Sequence, residues 1–205
     1  MALDNYDGLK TEVAGWLNRE DLALVIPTFV RLLEAQVERI LRVREMLVRA
    51  EGELSDEFTT LPQDFLAIEH IVLVGVQNPK PLEWVPMNQI NALQAESSPG
   101  RPTHFSIIGD EIELSPLPAE GVVAQIAYYR AIPKLSDTQP VNWLLTRHPD
   151  LYLYGTLMQA APYLKNDERI GTWTTALAAI LEDIRLADER AIRGGAPLKM
   201  RFKPY

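Results

Sequence analysis

The chain contains no cysteine, which excludes disulfide staples, thiolate metal sites and thiol nucleophiles. Its three histidines have no metal-ligand spacing. Glu69 and His70 are neighbours on an expected strand and so point to opposite faces, and His104 stands alone. No run of eighteen uncharged apolar residues occurs, and the opening MALDNYDGLKTE has no apolar segment, so neither a membrane span nor a secretory leader is expected. There is no phosphate-cradling glycine loop and no Gly-x-Ser-x-Gly elbow. An enzyme is therefore not expected, and neither is a cofactor or a bound metal.

What the chain does have is apolar residues and acid. At 205 residues, 47% of them hydrophobic, it can bury a sizeable core without covalent staples. The net charge of −8 is unevenly spread. Residues 1–57 carry 7 basic and 12 acidic side chains, residues 58–148 carry 5 and 9, and residues 149–205 carry 8 and 7. A body this acidic argues against wrapping of duplex DNA, which needs clustered Lys and Arg on one surface. The end differs, because Arg190, Arg193, Lys199, Arg201 and Lys203 occur there with no acid after Glu189.

Hydrophobic spacing predicts helices at both ends and strands between them. Asp4 is the expected cap of a first helix with Tyr6, Leu9, Val13, Trp16 and Leu17 on its apolar face, ending near Asn18. Pro27 opens a longer one, whose apolar residues Phe29, Leu33, Val37, Ile40, Val43 and Leu47 advance by three or four. Arg31, Glu34, Glu38, Arg42, Glu45 and Arg49 form a charged stripe elsewhere on it, a face that is either solvated or meets a second copy of itself. Strands are expected at 57–61, 67–74, 80–85, 103–108, 111–115 and 122–130, with a tight hairpin at Gly109-Asp110, a short helix after Pro86 and a loose loop at 97–102. Pro149 suits the first turn of an apolar helix carrying Leu151, Leu153, Tyr154, Leu157, Met158, Ala160 and Leu164, which Pro162 bends or ends. Asn166 or Asp167 then caps a last helix with Ile170, Trp173, Leu177, Ile180, Leu181 and Ile184 inward, stopped by Gly194-Gly195. The fold class is α+β: a helical bundle from 1–56 and 133–195, an antiparallel β insertion at 57–132, and an extended arm at 196–205.

The remaining chemical candidates read as structure. Glu111 and Glu113 share a strand face beside Asp110 and have the spacing for calcium or acid–base work, but such a pair more often lies on a solvated hairpin edge. His148-Pro149-Asp150 matches a chaperone signature without the basic helix that should precede it, and is read as a helix cap. Tyr128, Tyr129, Tyr152 and Tyr154 are read as packing residues. In the arm, Leu198, Met200 and Phe202 alternate with Lys199, Arg201 and Lys203 before Tyr205, so an extended chain puts the two sets on opposite faces. That pattern suits strand addition or an acidic-rimmed groove.

Three ordered stretches carry a family resemblance: LRVREM at 41–46, GRPTHFSIIGDEIELSPLP at 100–118 and NWLLTRHPDLYLYGTLMQAAPYLKNDERI at 142–170. Together they resemble the head-to-tail adaptor proteins of tailed bacteriophages, the rings under the portal of short-tailed phages. The resemblance implies a structural virion protein, made in the host cytoplasm, in a ring of about twelve copies. The implied partners are the portal protein, neighbouring adaptor subunits and a tail or nozzle protein, with DNA passing through the channel and no membrane involved. The arm residues 198–203 and Tyr205 are the expected portal contact, and the charged stripe of the second helix is the candidate subunit interface. A monomeric helical binding or regulatory module is the alternative.

Overall fold

The computed structural model of the protein describes residues 3–54, 58–164 and 169–194. Along the chain they form α1 (Tyr6–Leu17), α2 (Ile26–Ile40), β1 (Leu47–Leu54), β2 (Phe58–Thr60), β3 (Phe65–Leu73), β4 (Glu83–Trp84), α3 (Met87–Glu96), β5 (His104–Ile108), β6 (Glu111–Ser115), β7 (Val122–Arg130), α4 (Trp143–Arg147), α5 (Pro149–Leu164) and α6 (Ile170–Arg193). The fold is α+β. Two compact units divide it, one of Met1–Val43 with Ile132–Tyr205 and the other of Arg44–Ala131.

In the helical unit each boundary has a local cause. The α1 cap is Asn5, not Asp4: its side chain accepts from the Gly8 amide at 2.8 Å, satisfying one of the free donors of the first turn. Asn18 closes the helix in the left-handed region at φ 53°, where asparagine is tolerated. Pro27 lies in the first turn of α2, where its missing N–H costs nothing. The α5 helix is buried nearly all round, with Leu151, Tyr152, Leu153, Gly155, Thr156, Leu157, Ala160 and Ala161 out of solvent. Gly155 marks the crossing with α2, because a Cβ there would stand 2.3 Å from Leu33 Cδ1. Pro162 falls in the last described turn and is exposed, and the described helix runs to Leu164. On α6 the inward stripe narrows to Trp173, Leu177 and Ile184, while Ile170 is exposed. The expected caps Asn166 and Asp167, together with Gly195 and the arm, lie outside the described residues.

The long second helix is the main correction. It stops at Ile40, and Leu41 is extended at φ −85° and ψ 127°. The Arg42 guanidinium donates to the carbonyls of Glu38 at 2.7 Å and Leu41 at 2.6 Å, supplying donors to the end of the helix. Residues 47–54 are a strand paired antiparallel with β7 over its full length, from Leu47 opposite Tyr129 to Leu54 opposite Val122. The segment supports both periods. Leu47, Arg49 and Glu51 are exposed and Val48 and Ala50 half-buried, an alternation that a helical reading of Val43 and Leu47 conceals.

The β unit contains one sheet of order β1-β7-β3 and another of order β2-β6-β5-β4. All pairs are antiparallel except β4 with β5. Leu54, Leu61, Ile71, Leu73, Leu82, Phe105, Ile112, Leu114 and Ala124 form its core. Gly109, at φ 61°, makes the tight turn between β5 and β6, a conformation glycine adopts without steric cost. The loop at 97–102 is tied down: the Gly100 amide donates to the Leu117 carbonyl at 2.8 Å, and the Ala119 amide returns to the Gly100 carbonyl at 2.8 Å.

Candidate functional site

The six charged residues expected as one stripe do not share one environment. Arg31 and Arg49 are exposed, the first on α2 and the second on β1. Glu45 lies in a short 3-10 turn beside Arg44, at 3.7 Å, and Arg42 caps α2 as described. Glu34 faces inward and is 4% exposed. A continuous stripe cannot form, because the helix ends before Arg42.

Glu34 is the centre of a buried polar network. Its Oε1 accepts from the Leu135 amide at 2.9 Å and from the Tyr152 hydroxyl at 3.1 Å. Asn142 donates from Nδ2 to the Tyr152 oxygen and to the Pro133 carbonyl, both at 2.7 Å, while its Oδ1 caps α4 by accepting from the Leu145 amide at 2.8 Å. One turn along α2, Glu38 stands 4.0 Å from Lys134. The network thus ties the 132–142 connection to α2 and α5. It is only partly satisfied, since Glu34 Oε2 and Glu38 Oε1 have no hydrogen-bond partner among the described residues. Burial pushes the Glu34 carboxyl above its ordinary range, against the pull of the Leu135 and Tyr152 hydrogen bonds, and the nearby Glu38 pushes the same way. Burial likewise raises the Tyr152 phenol far above its normal value, helped by the Glu34 charge. The upward direction for Glu34 fits a buried site with few donors to offset a charge. This arrangement holds chain segments together.

The other sequence candidates also resolve into structure. Glu113 is 3% exposed, because β6 lies between β2 and β5 and is not the solvated edge expected. Glu111, two residues away, is exposed, so the pair shares no open site. The His104 ring lies 2.9 Å from Thr103 Oγ1 and 3.9 Å from Glu83. No group of three metal-capable side chains occurs among the described residues. His148 ends α4, and Asp150 accepts from the Leu151 amide at 3.0 Å in the first turn of α5. Tyr128 is buried, with its hydroxyl on Asp64 at 2.9 Å, and Tyr154 packs edge-on to Trp16 at 5.8 Å.

A family model described as SU10 adaptor protein matches residues 4–201. The chain belongs to the SU10 adaptor protein family. It is a phage adaptor, a structural component. No curated protein matches the chain. No described helix of this adaptor is long and apolar enough to cross a membrane.

Helical periodicity missed one surface of the adaptor. Trp16, assigned inward by spacing, is 45% exposed, and Leu24, Tyr163 and Ile170 are exposed as well. Contacts put Trp16, Tyr163 and Arg169 at one end of the helical unit. The Arg169 guanidinium donates to the Trp16 carbonyl at 3.3 Å, and Tyr163 packs on Phe29 at 5.7 Å. The signal in the sequence was Leu24 itself, an apolar residue in a connection where no helical stripe needs one.

Proposed function

We propose that this adaptor is the head-to-tail ring protein of a short-tailed phage, standing in the virion between the portal and the first tail or nozzle protein. The observation that carries the reading is the family match over nearly the whole chain. The net charge of −8 supports a place along the DNA path, because like charge keeps phosphates from adhering to a duct through which they must slide. A closed ring, of about twelve copies by the family resemblance, needs head-to-tail contacts between identical subunits.

In this reading the arm after Gly195, with Leu198, Lys199, Met200, Arg201, Phe202, Lys203 and Tyr205, reaches the portal. Ten extended residues span about 30 Å, enough to cross onto a neighbour, and the alternating apolar and basic side chains suit a groove with an acidic rim. Arg31, Glu38, Arg42, Glu45 and Arg49 remain candidates for subunit contacts, whereas Glu34 is buried. Truncation after Gly195 tests the docking role. The shortened chain is expected to keep its melting temperature and to lose co-sedimentation with portal particles. Undiminished co-sedimentation would remove the arm from the mechanism, and a monomer that never binds portal in either form would favour a separate binding module.

A further inference from the structure

Two features lie at opposite ends of α2, an exposed apolar projection and a largely apolar groove. At its start, Leu24 is 93% exposed. A lone surface leucine is unremarkable, but this one belongs to the end of the unit that also exposes Trp16 and Tyr163, both held in place by the ring contacts and the Arg169 hydrogen bond described above. Beside Leu24, Arg19 is bound to Asp21 at 2.6 Å, which leaves Glu20 as the charge without an ion-pair partner among the described residues.

At the far end of α2, about 22 Å away at 1.5 Å per residue, lies a groove of about 410 Å³ lined by Ile40, Leu41, Val43, Ala178, Leu181 and Arg185. A cavity of about 150 Å³ is enough to hold a benzene ring, so a leucine side chain fits with room for its neighbours. Ile40 is 56% exposed in this groove. Arg185 is occupied by Glu182 and Glu189, and Arg42 by the carbonyls at the end of α2. Arg39, in the last turn of α2 and exposed, has no ion-pair partner among the described residues. The projection therefore has an acidic residue beside it, and the groove, whose own Glu182 is paired with Arg185, has the basic Arg39 next to its rim residue Ile40.

We infer that Leu24 of one copy seats in the groove between Ile40 and the Ala178–Leu181 face of α6 of the next copy, with Glu20 meeting Arg39 across the contact. This rests on the ring reading above and identifies the subunit contact within it. A projection and a recess on different parts of one surface make a heterologous contact, which closes into a ring when the rotation permits.

The chain's lack of cysteine makes the test clean. Leu24→Cys combined with Ala178→Cys places one thiol on each side, and a short bis-maleimide linker is applied to adaptor assembled on portal particles. The expected result is a ladder of dimer, trimer and higher species in the double variant and no ladder with either single variant. Leu24→Asp should lose ring assembly while its melting temperature stays unchanged. Dimers alone in the double variant would show a two-fold contact and overturn the inference. Rings visible by electron microscopy with only monomers after linking would also overturn it, while leaving the ring reading intact. No rings with the unmodified protein would remove both.

Discussion

Replacing Glu34 separates the hydrogen-bonding role of this carboxyl from its charge. Glu34→Ala deprives the Leu135 amide and the Tyr152 hydroxyl of their acceptor. A buried donor left unpaired costs about 1–3 kcal/mol, so the two together should destabilise the helical unit by roughly 2–6 kcal/mol. Glu34→Gln keeps an acceptor for both and puts an N–H₂ where Oε2 has no partner, so its effect should stay within about 1 kcal/mol at low pH. The pH dependence follows from the raised folded-state value. A carboxyl held above its unfolded value contributes stability that is complete below about 4.5 and is lost as pH rises through the folded value. Wild type should therefore weaken relative to Glu34→Gln between pH 4.5 and pH 8. Urea titrations of both proteins at the two pH values, followed by tryptophan fluorescence, measure this directly, because Trp16, Trp143 and Trp173 all lie in the helical unit. Parallel pH profiles for wild type and Glu34→Gln, or an alanine variant as stable as the glutamine one, would refute the account of this network.

Other changes probe the same framework. Gly155→Ala should lower stability by about 1–3 kcal/mol by overpacking α5 against Leu33, measured by thermal unfolding; Leu33→Ala in the same chain should recover part of that loss by making room. Asn142→Ala should cost about 1–3 kcal/mol in urea titration, since it removes the α4 cap and the donor to Tyr152 together. Prolonged treatment with a chelator should leave the melting temperature unchanged; a drop reversed by one divalent metal would reveal a site that the residue spacing does not announce.

Much of the fold was legible because the local signals agreed with one another. The strands at β5, β6 and β7 and the turn at Gly109 follow from short apolar runs and a glycine at a position of positive φ. The α5 helix could be read as buried on most sides because no face of it is polar. Residues 41–54 failed for a physical reason: their apolar residues satisfy a helical period and an alternating one, and pairing with β7 decides between them. The burial of Glu34 was not legible either. Its partners, Leu135 and Tyr152, are 101 and 118 residues away, and a charged residue four positions from another looks like a solvated stripe until the chain folds back over it. Glu113 misled in the same way, because a β-strand pattern does not say whether the strand is central or at an edge.

The central claim is that this adaptor works as a ring on the portal. Electron microscopy of portal particles incubated with the full-length protein, averaged without imposed symmetry, tests it most directly. The account predicts a closed ring of identical subunits stacked coaxially on the portal with a continuous central channel. Portals that remain bare at saturating adaptor, or that carry isolated subunits without a closed ring, would contradict it.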